Sequence, residues 1–244
     1  IRKIKNKITS TNECKKVIRS KEYKDLSDEI TEFSMPVQWV NRPHLDFRGF
    51  SGQITSGVVS VGDRVTILPV GTQTQVAGIV TFDGELSLAS EGQSVTLTLS
   101  DDIDVSRGDI MVSDASLVQV AHYFETQLLW MAEESLIPGR SYWIKFRSNL
   151  VTGTFSQPDY QIDINTSEHM EASTLLLNEI GVCHLEIGQD IAFLPYHLNA
   201  HLGSFIVIDR LTNNTVGMGF EPRNGTIFLS RTDTPFQDFT NSEK

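Results

Sequence analysis

Lysine is nearly absent from this sequence beyond its beginning. All lysines except Lys145 and Lys244 lie within residues 1–34. Cysteine is also scarce, with only Cys14 and Cys183 in 244 residues. Two cysteines do not make a disulfide framework, so we expect both to be reduced thiols in a cytoplasmic protein. The sequence has no run of 18 apolar residues, and this excludes a helical membrane span.

The few basic residues are distributed unevenly. Residues 1–34 hold nine Lys or Arg and six Asp or Glu, a net charge of +3. Residues 35–244 hold eleven basic and twenty-five acidic residues, a net charge of −14. Because phosphate contacts need clustered Lys and Arg, this acidic body argues against a nucleic-acid partner.

Residues 1–34 form a charged leader in which apolar residues at helical spacing predict one or two short amphipathic helices. The leader is either a basic arm that docks on an acidic partner or a solvated, partly ordered segment. The chain begins without methionine, and we expect it to be a fragment of a longer protein.

Short β-type runs separated by glycine turns begin directly after the leader. QSVTLTLS, residues 93–100, alternates apolar side chains with threonines and predicts a strand with one inward face. The Asp-Gly pair at 83–84 is a strong turn signal between two such runs. Short strands about 10–15 residues apart with glycine turns predict an antiparallel barrel or sandwich over residues 35–117.

A second series of strands follows. AHYFETQLLWM, which ends at residue 131, predicts a long strand with Phe124, Leu128 and Trp130 in the core. Further strands are predicted at IPGRSYWIKFRS (137–148), YQIDIN (160–165, with Ile162 and Ile164 on one face), IGVCHLEI (180–187) and GSFIVIDR (203–210). We therefore predict a second all-β domain at 118–222, little helix, and a tail at 223–244.

Glycines punctuate the stretch FRGFSGQITSGVVSVGDRVTILP, residues 47–69. Gly52 and Gly57 are spaced like the corner residues of a small barrel, where strands bend and bulges need positive φ. Gly62 precedes a strand as a turn residue does. The glycine pattern indicates a barrel without requiring any ligand.

The sequence also carries a specific resemblance. FSGQITSGVVSVGDRVTILP, followed by VAGIVTF, EGQSVTLTL and VSRGDIMV, resembles the second domain of translational GTPases such as elongation factor Tu. The second series resembles the third domain of that group. Within the group, four strings resemble the large, GTP-regulated subunit of bacterial sulfate adenylyltransferase: PVQWVNRPHLDFRGFSG (36–52), WMAEE (130–134), LNEIG (177–181) and FIVIDRLTNNTVGMGF (205–220). The resemblance covers residues 35–220 and implies two consecutive antiparallel β-barrels of the translation-factor type.

The resemblance also implies a function. In that family a GTPase domain, which binds GTP and magnesium, precedes the two barrels. The large subunit binds a small catalytic subunit that transfers an adenylyl group from ATP to sulfate, giving adenosine phosphosulfate and pyrophosphate. GTP hydrolysis helps drive this step of sulfate assimilation, so the barrels are expected to be a non-catalytic scaffold within a heterodimer.

The motifs of a nucleotide site are missing from the sequence. A GTPase needs G-x-x-x-x-G-K-[ST] to hold the phosphates, and no Gly-Lys pair occurs in this sequence. The guanine-specifying Asn-Lys-x-Asp is also missing, and DFRG at 46–49 matches Asp-x-x-Gly only by chance. We expect the GTPase domain to be absent and the chain to have no catalytic, cofactor-binding or metal-binding residues.

Aromatic and arginine side chains gather near the first predicted strand of the first barrel. They are Trp39, Arg42, Phe47, Arg48 and Phe50. Because aromatics and arginines are enriched at binding hot spots, one interpretation is a contact with the catalytic subunit or with the missing GTPase domain. The other is a barrel core with surface arginines.

Two other functions remain open. An elongation-factor-like module could bind RNA or the ribosome, although the acidic body opposes this. A metal-dependent enzyme could use His197 and His201, whose spacing of four suits a metal on a helix. However, both histidines lie in a predicted loop without a third ligand nearby.

Three further residues receive structural interpretations. Asp209 and Arg210 are predicted to pair with each other or to cap the turn at 211–217. Cys183, between Val182 and His184 in a predicted strand, is interpreted as a small core residue.

Overall fold

The computed structural model describes residues 32–44, 47–114 and 116–220, and no helix occurs among them. The predicted tail at 223–244 and all but the last residues of the predicted leader lie outside this part of the chain. Ten strands form the first β unit: β1 (Ser34–Pro36), β2 (Trp39–His44), β3 (Phe47–Gln53), β4 (Val58–Ser60), β5 (Arg64–Leu68), β6 (Thr72–Thr81), β7 (Gly84–Leu86), β8 (Leu88–Ser90), β9 (Ser94–Leu99) and β10 (Ile110–Ser113).

The first unit is an antiparallel sheet that curls on itself. Its strand order is β1-β10-β5-β6-β9-β3-β2, with β7 paired to β6 and a separate β4–β8 ribbon. The two ends of the sheet approach each other, because Gln38 N donates to Ser51 O at 2.8 Å. Val95 and Leu97 of β9 are buried in its core, as the alternation of apolar and threonine residues predicts.

Two of the corner glycines act in different ways. Gly57 has a φ of 70° in the turn before β4, which confirms the expected positive φ. Gly52 has no positive φ; instead, a Cβ at this position would overlap with the backbone carbonyl of Pro36. The missing side chain of Gly52 therefore lets β3 approach β1 where the sheet curls round.

Eight strands form the second unit: β11 (Gln119–Trp130), β12 (Ser141–Phe146), β13 (Asn149–Phe155), β14 (Tyr160–Ile162), β15 (His169–Met170), β16 (Ile180–Phe193), β17 (Ser204–Ile208) and β18 (Thr215–Phe220). Six of them, in the order β11-β18-β17-β12-β13-β16, close into a barrel because β16 also pairs with β11. The β14–β15 hairpin extends from β16. Two antiparallel β units therefore follow one another, as predicted.

Aromatic rings fill the second barrel. The predicted core residues Phe124, Leu128 and Trp130 are all buried there. Phe124 meets Phe193 edge to face with ring centroids 5.0 Å apart, and Trp130 meets Tyr142 in the same way at 5.7 Å. Such edge-to-face contacts are the preferred geometry of aromatic pairs.

The predicted strand at 160–165 is too long. β14 ends at Ile162, and Ile164 is exposed rather than paired with Ile162 on a buried face. The reason is Asp163, whose Oδ1 accepts hydrogen bonds from the backbone amides of Asn165 (2.7 Å) and Thr166 (3.0 Å). An aspartate that binds the amides two and three residues ahead stabilises a turn and stops the strand.

The two units pack against each other through an apolar cluster. Ile110 and Val112 of β10 lie against Leu194 and Leu202 from the segment that follows β16. The predicted boundary at 117–118 falls between β10 and β11, beside this cluster. The junction is therefore a buried contact as well as a chain connection.

Candidate docking cleft on the first barrel

The first barrel carries a cleft of about 520 Å³. Four of the five predicted contact residues line it, namely Arg42 from β2 and Phe47, Arg48 and Phe50 from β3. The remaining walls come from β6, β7, β9 and the loop that follows β9. Trp39, the fifth residue, does not line the cleft but is 63% exposed at the beginning of β2.

Two glycines shape the strands that form the cleft. A Cβ on Gly49 of β3 would overlap with the side chains of Thr96 and Phe47, so Phe47 can fold back over the strand only because residue 49 has no side chain. Gly78, in the cleft wall, lies beside an irregular register between β6 and β9. Close approach and local irregularity at glycine are common in strands that shape a binding surface.

Arg48 is held in the cleft by two carboxylates from the loop after β9. Its Nη1 lies 3.0 Å from Asp102 Oδ1, and its Nη2 lies 3.1 Å from Asp104 Oδ1. The guanidinium carbon also sits 5.5 Å from the centre of the Phe50 ring. Both carboxylates are exposed, so each pair contributes about 0–1 kcal/mol. Together the three contacts fix the orientation of Arg48 more than they stabilise the fold.

The five predicted residues differ in what they can offer a partner. Phe50 is 2% exposed and belongs to the core of the first barrel, so its ring is closed to a second protein. Arg42 and Trp39 are exposed, and Phe47 and Arg48 are half-buried. Of the residues that line the cleft, Arg42, Phe47 and Arg48 are therefore accessible to a partner, and Trp39 is accessible outside the cleft.

The charge of the cleft is mixed. Two arginines, Arg42 and Arg48, face three carboxylates, Glu85, Asp101 and Asp102. Asp101 is also occupied, because its Oδ2 accepts a hydrogen bond from Thr74 at 2.8 Å. A cleft in which carboxylates outnumber arginines favours a polar protein surface and does not suit phosphate groups.

The predicted metal-type histidines lie in the loop between β16 and β17. His197 and His201 are not on a helix, so their spacing of four does not place them on one face. No group of three or more His, Cys, Asp or Glu side chains suited to a metal ion occurs within 32–44, 47–114 and 116–220.

Asp209 caps the hairpin turn, which confirms one of its two interpretations. Its Oδ1 accepts hydrogen bonds from the backbone amides of Leu211 (2.8 Å) and Thr212 (2.9 Å). These bonds, that of Thr212 foremost, hold the pKa of the Asp209 carboxyl below its usual value. The predicted pairing with Arg210 is wrong, since Asp209 pairs with Arg140 from the opposite loop. Arg210 instead lies over the ring of Trp143 at 4.8 Å.

Cys183 is a core residue, as interpreted from the sequence. It is fully buried, and burial raises the pKa of its thiol to about 12. A thiol in this environment is a poor nucleophile and a poor metal ligand, because both roles need the thiolate.

Sequence reasoning missed the acidic partners of Arg48 and the junction contact of Asn149. Asn149 Nδ2 donates to Gly108 O at 3.0 Å, from the second barrel to the first.

The part of the chain that the structure describes has no helix suited to crossing a bilayer.

Comparison with known proteins identifies what this architecture is similar to. The model of the GTP-eEF1A C-terminal domain-like family matches residues 123–220, which span most of the second barrel. Crystal structures of Sup35 with GDP and with GMPPNP share the fold, with a TM-score of 0.71 in each case and 18% and 19% sequence identity. They cover 82% and 80% of this chain and 48% of each Sup35 chain is covered in return.

Two other relatives have a much higher sequence identity to this chain than Sup35 does. Sulfate adenylyltransferase subunit 1 of Aliarcobacter butzleri is 46% identical over 215 residues, which are 88% of this chain and 46% of the relative. The corresponding protein of Alteromonas mediterranea is 50% identical over 192 residues, 79% of this chain and 41% of the relative. The chain thus spans less than half the length of these curated relatives. We conclude that it is homologous to part of sulfate adenylyltransferase subunit 1 and has the β architecture of the translation-factor GTPases.

Proposed function

We propose that this chain is the non-catalytic barrel portion of a sulfate adenylyltransferase large subunit. It would couple GTP hydrolysis in a GTPase domain to the reaction of a small catalytic subunit, in which ATP and sulfate give adenosine phosphosulfate and pyrophosphate. The observation that carries the proposal is 46–50% identity to sulfate adenylyltransferase subunit 1 over 79–88% of the chain. We place the assembly, a heterodimer in sulfate assimilation, in the cytoplasm.

The described residues do not fit GTP and magnesium. The sequence has no Gly-Lys pair for a phosphate loop. In the cleft, the guanidinium of Arg48 is already bound by Asp102 and Asp104. We therefore assign GTP and magnesium to the GTPase domain of the parent protein, and no step of nucleotide chemistry to this chain.

The contact between the two barrels supports a mechanical role. Apolar residues from both units are buried at the junction, and Asn149 bonds to Gly108 across it. We propose that this buried contact couples the two barrels, so that a displacement imposed on one is transmitted to the other. Arg42, Phe47 and Trp39 would provide the contact with the GTPase domain or with the catalytic subunit.

An RNA-binding role is the alternative function. The likeness to Sup35 concerns the fold alone, and the net charge of −14 over residues 35–244 opposes binding to phosphates. Tight transfer-RNA binding that weakens steeply with added salt would favour this alternative.

The proposal is tested by mixing the full chain with the purified small catalytic subunit of the same cell and measuring association by calorimetry. Binding is the expected result, and its absence would contradict the scaffold role. GTP hydrolysis by the chain alone, above the buffer background, would contradict the non-catalytic assignment.

Matched variants locate the contact. Arg42→Ala and Phe47→Ala alter the cleft, whereas Phe82→Ala removes an exposed phenylalanine that does not line it. Weaker binding of the first two variants alone would assign the cleft to the catalytic subunit. Unchanged binding would show that the catalytic subunit does not bind in the cleft.

A further inference from the structure

The end of the second barrel that lies away from the first carries a surface that the cleft does not explain. At this end β11 finishes and β16 begins, since Leu129 pairs with Ile180. The junction with the first barrel lies at the opposite end, near Leu194 and Leu202. Two loops, residues 131–140 and 171–179, shape the far end.

Backbone hydrogen bonds hold these two loops together. Trp130 N donates to Glu179 O, Asn178 N to Trp130 O, and Leu136 N to Leu175 O, each at 2.9 Å. The indole Nε1 of Trp130 also donates to the Glu134 carbonyl at 2.7 Å. Leu136 and Leu175 are fully buried beneath the loops. The outer surface of the loops therefore has a fixed support.

The same loops expose four large apolar side chains. Met131 and Ile137 on the first loop are 45% and 48% exposed, and Leu176 and Leu177 on the second are 53% and 45% exposed. We call these four residues the distal patch. Single exposed apolar residues are common, whereas several on two adjoining loops are typical of an interaction surface.

Acidic residues predominate in the segments at the end of the barrel that carries the distal patch. The segments that close this end of the barrel, residues 131–140, 156–179 and 209–214, contain eight Asp or Glu, two Arg and no Lys. Both arginines already have partners within the barrel, because Arg140 pairs with Asp209 and Arg210 lies over the ring of Trp143. An apolar centre with an acidic rim complements a protein surface with an apolar centre and a Lys- and Arg-rich rim.

Three of the four strings that resemble the large subunit of sulfate adenylyltransferase meet at this end. WMAEE (130–134) and LNEIG (177–181) are joined by the hydrogen bonds between Trp130 and Glu179 and between Asn178 and Trp130. The string at 205–220 joins them, since Met131 N donates to Val216 O at 2.8 Å. Hydrogen bonds thus join these three strings at the end of the barrel where the distal patch is exposed.

We propose that the distal patch is the docking surface for the small catalytic subunit, which would present an apolar face bordered by lysine and arginine. This inference rests on the proposed function and assigns that partner to the far end of the second barrel. The cleft of the first barrel then remains available for the GTPase domain.

The test measures binding of the full chain to the purified small catalytic subunit by calorimetry. The double variant Leu176→Asp, Leu177→Asp places two charges in the distal patch. Both side chains are exposed, so the fold should tolerate the change. We expect binding at least tenfold weaker than that of the unmodified chain. The control, Val70→Asp with Phe82→Asp, changes two exposed apolar residues of the first barrel and should bind within about twofold of it.

The outcomes separate this inference from the proposed function. If the unmodified chain binds and the distal double variant binds equally well, the inference is wrong and the scaffold role stands. If the unmodified chain does not bind, both fall. Sedimentation of the chain alone supplies a further outcome. A dimer that the distal double variant abolishes, with unchanged affinity for the catalytic subunit, would assign the patch to a second copy and overturn the inference.

Discussion

The side-chain amide of Asn149, in the second barrel, donates a hydrogen bond to the backbone carbonyl of Gly108, in the first. Gly108 has a φ of 104°, and a Cβ at this position would overlap with the Asn149 side chain. The pair thus combines a conformation that favours glycine with a close contact that excludes any side chain. It lies at the junction through which we propose that the barrels move together.

We predict that Gly108→Ala destabilises the protein more than Gly62→Ala does. Both residues have positive φ, but a Cβ on Gly62 would meet nothing within 4 Å. The strain of an unfavourable φ costs about 1–3 kcal/mol in each variant, and Gly108→Ala adds the overlap with Asn149. Urea denaturation gives both free energies of unfolding. Adding Asn149→Ala to Gly108→Ala should recover part of the loss, and strict additivity would contradict the contact.

We predict that Phe50→Ala and Trp39→Ala differ sharply in stability, although sequence reasoning grouped these residues. Phe50 is in the core, so its loss leaves a cavity and costs about 3–5 kcal/mol. Trp39 is exposed, and its replacement should change the free energy of unfolding by no more than about 0.5 kcal/mol. Urea denaturation followed by circular dichroism measures both. Equal losses would mean that Trp39 packs in the core.

We predict that Asp209→Asn is destabilising at neutral pH and that its effect shrinks in acid. The pKa of Asp209 is lowered by the amide hydrogen bond of Thr212 first, and also by Leu211 and Arg140. A carboxyl with a depressed folded-state pKa contributes stability above its usual value of 3.8, and this is lost as pH falls through the lower folded-state pKa. Urea denaturation of both proteins at pH 7 and at successive pH values below 3.8 measures the difference, and a constant difference would contradict this role.

We predict that Cys183 is unreactive in the folded protein. Burial raises the pKa of its thiol to about 12, so almost no thiolate exists at pH 8. In a Cys14→Ser variant, which leaves one thiol, a colour-forming disulfide reagent should label nothing under native conditions and one thiol per chain in guanidinium. Rapid native labelling would show that the core opens at β16.

Local patterns in the sequence predicted much of the fold. The alternation of residues 93–100 predicted β9, and the apolar spacing in AHYFETQLLWM placed Phe124, Leu128 and Trp130 in the core. Each signal arises within a single strand, because one face of the strand lies in the core and the other does not. Ile164 was mispredicted because a side chain one residue earlier, Asp163, forms a turn that apolar periodicity does not report.

The candidate site could be predicted only in part. Arg42, Phe47 and Arg48 lie on the consecutive strands β2 and β3, so their clustering is visible along the chain. The carboxylates of Asp102 and Asp104 reach Arg48 only because β3 pairs with β9. Such long-range pairing leaves no local signal, and the same holds for the contact between Asn149 and Gly108.

Closure of the second barrel also sets an order of events during synthesis. β11 pairs with β16, where Leu129 meets Ile180, and with β18, where Trp130 meets Gly217. In the first unit, β1 pairs with β10, where Ser34 meets Val112, and all of its strands precede the second barrel along the chain. All strands of the first unit are therefore synthesised before the second barrel. In the second barrel, β11 can pair with β18 only after the last strand has been synthesised. A chain that stops before β18 would leave unpaired edges on β11 and β17, which are templates for pairing with another chain.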